Sequence, residues 1–191
     1  MKIIRYGAAG SQCVPVLTGD EQAVDVEEII DTNRSSWLSP SGLSAMADAA
    51  HSDGAASVDL ATVRIGSPIP SRGKVVCVGM NHAAHIAEVG MDTPPEPTLF
   101  LRVGDTVKGP FDQMAIPPRS AKTDYEVELA VIIGQCAAYL DAPSASSSVI
   151  AGYAISNDVS ERAFQLERGG RCDKGKNCPT FNPLGPWLVT R

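Results

Sequence analysis

The chain has 191 residues and a formal net charge of −6, with 16 Lys and Arg against 22 Asp and Glu. With 43% hydrophobic and 20% charged residues it has a globular composition, and its length suits one large domain or one domain with a small companion. It contains no basic run of five residues and no apolar run near ~18 residues, so neither nucleic acid nor a membrane span is expected.

The first residues, Met-Lys-Ile-Ile-Arg, carry charges where a signal peptide needs an apolar stretch, and a cytoplasmic protein is expected. The five cysteines are odd in number and form no C-x-x-C, which suits free thiols in a reducing compartment. Cys172 and Cys178 as a metal pair is the weaker reading.

Residues 1–66 read as a small N-terminal domain. A strand is predicted over 1–6 with a short partner over 14–17, and Gly19-Asp20 is a turn signal. Residues 24–30 read as a strand running into a turn, and the Ala-rich stretch 41–50 as a helix. His51 reads as a surface histidine. Residues 67–73, with two prolines and a glycine, form a linker to a second domain over 74–191.

A buried strand is predicted over 74–79, followed by a helix with Asn81 as N-cap and Gly90 as stop. His85 and Glu88 stand three apart and meet on one face of that helix. A carboxylate there could orient the imidazole as a general base, or the two could form an incidental exposed ion pair. His82 and His85 share the same spacing, with no third soft ligand nearby. A Pro-rich loop over 91–97 and a strand over 98–103 come next.

In Thr123-Asp-Tyr-Glu-Val-Glu-Leu-Ala-Val-Ile-Ile-Gly134, aliphatic residues alternate with Glu126, Glu128 and Ala130. That period of two predicts a strand, on which Glu126 and Glu128 share a face about 7 Å apart. Two readings stand for the pair: a solvent-covered face, or a site with a cation between the carboxylates. A further apolar strand over 149–156 delivers Asn157-Asp158 to its carboxyl end. A strand-to-helix turn follows, with Arg162 and Gln165 on one stripe, where Arg162 could grip a substrate carboxylate.

Residues 168–177 are glycine-rich and basic. They lack the Walker spacing and no helix signal follows them, so a phosphate loop is not expected. Residues 187–190 read as a strand in mid-course with no stop signal.

Gly79-Met-Asn, His85-x-x-Glu88, Asp124-Tyr-Glu-Val-Glu-Leu129, Gly152-Tyr, Asn157-Asp-Val-Ser-x-Arg162-x-x-Gln165, Gly175-Lys176 and Pro183-Leu-Gly-Pro186 occur in that order. This set resembles the fumarylacetoacetate hydrolase family. The nearest likeness is to its sugar-acid branch, the 2,4-diketo-3-deoxy-L-sugar-acid hydrolases, which also carry the label ureidoglycolate lyase.

The resemblance implies an α+β, β-rich fold: a mixed β-sandwich roll with a small N-terminal domain. It implies Mg²⁺ or Mn²⁺ held by Glu126, Glu128 and Asp158, and three carboxylates at one spot do call for a hard divalent cation. It assigns water activation to His85 and Glu88, and substrate contacts to Lys176, Arg162 and Gln165. The implied reaction is hydrolysis of a C–C bond in a 2,4-dioxo acid with release of pyruvate, and a homodimer is expected. A 2-oxo acid decarboxylase, hydratase or isomerase would use the same ligands. A truncated, inactive metal-binding homologue is the alternative from another class.

Three departures stand out. Relatives have Asn-Tyr where this chain has Asn81-His82. They tend to Gly-Gln-Trp where it has Gly170-Arg171-Cys172. They also continue past the residue matched by Arg191, with further strands and a Thr-Gly-Thr-Pro loop. The catalytic domain is therefore expected to be C-terminally incomplete: either part of a longer polypeptide, or covered there by self-association.

Overall fold

A computed structural model describes residues 1–17, 22–26, 35–52, 56–70 and 73–191. The turn expected at Gly19-Asp20 and the second half of the strand expected over 24–30 lie outside the described residues, as do two positions of the linker.

Short strands open the chain: β1 (Lys2–Ile3), β2 (Pro15–Leu17) and β3 (Ala23–Asp25). Helix α1 (Pro40–Ala49) starts where Ser39 accepts a 3.1 Å hydrogen bond from Gly42 N, with Pro40 placed where no backbone N–H is needed. The strand β4 (Ser57–Val58) follows, then β5 (Val75–Gly79), helix α2 (Ala83–Glu88), β6 (Thr98–Arg102), β7 (Val107–Lys108), β8 (Thr123–Asp124) and β9 (Val127–Ile133). The last stretch holds β10 (Ile150–Asn157), β11 (Ser160–Glu161), helices α3 (Arg162–Leu166) and α4 (Cys172–Lys176), β12 (Asn182–Pro183) and β13 (Leu188–Thr190).

Among the described residues the main sheet has seven strands in the order β4-β3-β2-β1-β13-β10-β9, every pair antiparallel. Three two-stranded sheets flank it: β5–β6 and β8–β11 antiparallel, β7–β12 parallel. The result is the β-rich, mixed architecture expected from the sequence. The 187–190 stretch does not end with unpaired backbone. The strand β13 sits inside the sheet, bonded to β1 on one side and β10 on the other. The strands near the N-terminus thus continue directly into the sheet that carries the glutamates.

The largest apolar cluster joins both parts of the chain. Ile3, Val14, Val16 and Val26 pack with Trp37, Leu38, Met46, Ile132, Ala151 and Leu188. Here α1 lays Met46 and Ala49 onto the sheet. The strand β9 alternates as predicted, and the face that carries the glutamates is the inward one. Val127, Leu129, Val131 and Ile133 face solvent, while Glu128, Ala130 and Ile132 face inward. The hairpin β5–β6 repeats this, with Val76, Val78, Leu99 and Leu101 exposed and Cys77, Phe100 and Arg102 on the inner side.

Leu188 is fully buried in the cluster shared by β1, β10 and α1. Leu188→Ala is expected to cost about 2–5 kcal/mol through the cavity it leaves. Urea unfolding followed by circular dichroism checks this, and a loss under 1 kcal/mol would place Leu188 outside the core.

Candidate metal centre and polar pocket

The site forms where β9 begins and β10 ends. Register pairs Ser156 with Glu128 and Asn157 with Val127. Beyond the ladder, Asp158 N donates to Glu126 O at 2.8 Å, and Glu126 N donates to Asn157 Oδ1 at 3.1 Å. These bonds set Glu126 beside Asp158, and strand alternation puts Glu128 on the same inner face. One carboxylate oxygen from each of Glu126, Glu128 and Asp158 lies within 4.8 Å of the others.

Asp158 is 1% exposed. A buried carboxylate needs compensating charge, and two buried cations supply it. Arg102 Nε is 2.8 Å from Asp158 Oδ1, a charge contact in which the N–H is not aimed at the oxygen, so neither atom has a hydrogen-bond partner. The guanidinium is fixed by its other nitrogens, Nη1 donating to Phe181 O at 2.8 Å and Nη2 to Val159 O at 2.7 Å. Lys176 Nζ donates to Asp158 Oδ2 and, at 2.9 Å, to Glu126 Oε1. Its ammonium also stands 5.1 Å from the centre of the Phe100 ring.

Glu126 Oε1 also accepts from Ser160 Oγ at 2.9 Å and forms an ion pair with Arg162 Nη1 at 2.8 Å. Burial would raise its pKa, but the bonds from Lys176 and Ser160 and the charge of Arg162 hold it below the ordinary value. Glu128 goes the other way. Burial, then the charges of Asp158 and Glu126, push its pKa up, while Lys176 and His82 oppose. The Glu128 carboxylate makes no hydrogen bond or ion pair among the described residues. A crowded carboxylate with no partner, beside a buried oxygen of Asp158 with no hydrogen bond, fits a bound cation. The donors are all oxygens, which favours a hard divalent ion over a thiophilic one.

Arg162 spans the pocket rim, with Nε and Nη2 on Asp124 Oδ2 and Nη1 on Gln165 Oε1 at 3.1 Å. Gln165 Nε2 in turn reaches Cys172 Sγ at 3.7 Å. Arg162, Gln165 and Lys176 therefore join the three carboxylates in one polar assembly. His85 and Glu88 do pair, Nδ1 to Oε2 at 3.6 Å, but on the exposed face of α2, with side chains 50% and 80% accessible. The expected cap Asn81 is displaced by His82, which lies close enough to Glu128 to favour its charged form.

Several participants were not anticipated. Arg102 had one legible sign, a charged residue two positions from Phe100 on the inward side of an aliphatic strand. The helix α4, inside the glycine-rich stretch that was not assigned an element, delivers Lys176. Gly175 lets it dock: a Cβ there would lie 2.6 Å from Glu161 O and 2.7 Å from Gln165 Cβ. Cys77 faces the site, and burial followed by the Asp158 charge pushes its thiol up to about 12, which leaves it protonated and inert.

Glu161 is fully buried and gave no signal in the sequence. It accepts bonds from Ser120 Oγ, from Thr123 Oγ1 and Lys122 N at 2.9 Å each, and from Ala163 N at 3.1 Å. Burial opposes its charge, but these four donors prevail and bring its pKa to about 2.

A β-rich mixed fold with a three-carboxylate pocket flanked by buried basic groups defines the class, and the comparisons agree. The profile of the fumarylacetoacetate (FAA) hydrolase C-terminal family matches residues 74–191. A protein of Burkholderia lata, named as a hydrolase, is 40% identical over 198 residues, covering all of this chain and 67% of the relative. Among solved structures, fumarylacetoacetate hydrolase from the psychrophile Exiguobacterium antarcticum superposes with TM-score 0.78 at 29% identity, over the whole chain and 66% of its own. The 5-carboxymethyl-2-hydroxymuconate delta-isomerase of Mycobacterium smegmatis does so with TM-score 0.72 at 30% identity, over the whole chain and 67% of its own. The chain belongs to the fumarylacetoacetate hydrolase family, and it spans about two thirds of the length of these relatives. No helix among the described residues is long and apolar enough to cross a membrane.

The Glu161 pKa makes stability depend on pH. The group is depressed from 4.5 to about 2 in the folded chain, so its stabilisation is complete above pH 4.5 and is lost as pH falls toward 2. Glu161→Gln is expected to flatten the fall in melting temperature between pH 5 and pH 3, and an unchanged slope would show that other carboxylates carry it.

Proposed function

We propose that the chain is the metal-dependent part of a hydrolase that cleaves a C–C bond of a 2,4-dioxo acid and releases pyruvate. The observation that carries this reading is the group of three inward carboxylates within 4.8 Å, flanked by Lys176 and Arg162. In this reading Glu126, Glu128 and Asp158 hold Mg²⁺ or Mn²⁺, which would supply Lewis-acid polarisation of the 2-oxo carboxylate. The division into residues 1–66, a linker over 67–73 and a catalytic domain over 74–191 belongs to the same proposal, as do a homodimer and a cytoplasmic location.

The chain's own residues take the remaining roles. Arg162 offers a planar fork to the substrate carboxylate, with Gln165 bonded beside it. His85, with Glu88 Oε2 3.6 Å from its Nδ1, takes a proton from water as the oxygen adds to the C4 carbonyl. The C3–C4 bond breaks, C4 leaves as a carboxylic acid, and C3 with C2 becomes the enolate of pyruvate. Lys176 places positive charge where that enolate oxygen develops. Protonation at C3 completes pyruvate.

The likeness to a delta-isomerase supports a second reading, in which the same groups move a proton along a 2-oxo acid without adding water. Pyruvate release from 2,4-dioxo acids, against isomerisation of an unsaturated 2-oxo acid, separates the two.

Glu126→Ala is expected to abolish Mn²⁺ binding at micromolar metal. Calorimetry that finds parental affinity in this variant would remove Glu126 from the ligand set. His85→Ala should lower the rate of hydrolysis by about 10²–10⁴-fold while leaving Mn²⁺ affinity nearly unchanged. Equal loss of metal would make His85 a ligand rather than a base.

A further inference from the structure

We propose that the Lys176 ammonium is the counter-cation of the carboxylate cluster in the metal-free chain, and that a divalent ion takes its place. The inference rests on the metal reading above and concerns what happens before substrate arrives. Three carboxylates, Glu126, Glu128 and Asp158, face three cations, Arg102, Lys176 and Arg162. The cations reach only two of the three, Asp158 and Glu126, and Arg162 is shared with Asp124. Lys176 Nζ already occupies oxygens of Glu126 and Asp158, two of the three carboxylates a divalent ion would use, so the ion and the ammonium compete for them.

The three cations are not equally held. Arg102 is fastened to two backbone carbonyls and has no exposed side-chain surface. Arg162 is tied to Asp124 and Gln165 at the rim, and only one of its nitrogens reaches Glu126. Lys176 Nζ, among the described residues, has no acceptors except Glu126 and Asp158, two of the three cluster members. Its four-carbon stem leaves from the last residue of α4, and the Phe100 ring stands 5.1 Å away, ready to take the ammonium by cation–π attraction. Lys176 is therefore the group that yields.

Two consequences follow. The metal-free chain keeps its fold, because Asp158, the fully buried carboxylate, has Arg102 and Lys176 against it. The displaced ammonium also stays charged beside the pocket, free of its two acceptors, so metal loading is what makes it available to a developing enolate.

The test uses the parent, Lys176→Met and Lys176→Arg, each in EDTA and in saturating Mn²⁺. In EDTA, Lys176→Met is expected to melt several degrees below the parent and Lys176→Arg close to it, and Mn²⁺ should erase the difference for Lys176→Met. With no resident cation to displace, Lys176→Met should bind Mn²⁺ about tenfold more tightly by calorimetry. A crystal structure of the Mn²⁺-loaded parent should show Nζ beyond hydrogen-bond reach of Glu126 or Asp158. Parental melting and parental affinity in Lys176→Met overturn the exchange while leaving the metal reading standing. Should that variant not fold, Nζ still bonded to both carboxylates in the loaded parent overturns it equally. A parent that binds no Mn²⁺ overturns the metal reading, and the exchange with it.

Discussion

The buried charge of Asp158 is the constraint on which the rest of this structure depends. An ionised carboxylate with 1% exposure is tolerable only when cations reach it, and they arrive from separate parts of the chain. Arg102 comes from β6, Lys176 from α4, and Asp158 itself from the end of β10. Each cation needs its own support. Arg102 uses two backbone carbonyls, and α4 needs the bare Cα of Gly175 to approach β11 and α3 closely enough. The hairpin, the helix pair and the edge of the main sheet are thereby tied to one oxygen pair. Such an arrangement is a poor source of net stability, since apolar groups would fill the same volume at less cost. Its retention makes sense where the charges do chemistry.

Glu161 is a second buried carboxylate solved by different means. Among the described residues it has no ion pair, and it is held by two hydroxyls and two backbone N–H groups. Its bond from Ala163 N caps the first turn of α3, and Arg162 is the residue between. The loop carrying Ser120, Lys122 and Thr123 is thus fastened to the base of the helix that presents Arg162. One carboxylate sits at the chemistry and the other aims the rim.

Much of the site was legible because its spacing is local. Glu126 and Glu128 announce a shared face by a period of two, and Arg162 with Gln165 by a helical step of three. Asp158 was placed by the apolar run before it and by the motif Asn157-Asp-Val-Ser. Arg102 and Glu161 were not found, because their partners lie 56 and about 40 residues away and no pattern marks so distant a pairing. The helix α4 was missed because five residues containing Gly175 carry little helical preference. The sheet's continuity through β1 and β13 was equally invisible, since strands of two or three residues show no period.

The inward polar face of β9 shows how the site and the hydrophobic effect compete. A slip of one residue would bury Val127, Leu129, Val131 and Ile133 and turn the glutamates to solvent. Each aliphatic side chain moved from water to the interior would gain about 1.5–3 kcal/mol, so the conventional strand has a sizeable advantage on its own. Three contacts hold the register against it. Ile132 and Ala130 are already packed in the main core, and a slip would withdraw them. Gly134 lies against Leu38, where a Cβ would come within 2.2 Å of the carbonyl oxygen, so neither Ile133 nor Gln135 can take that place. Finally, Glu126 is bonded through its backbone to Asn157 and Asp158 and through its carboxylate to Lys176, Ser160 and Arg162. The same contacts that assemble the acidic centre therefore fix the strand that carries it, and the exposed aliphatic face is the consequence of turning the glutamates inward.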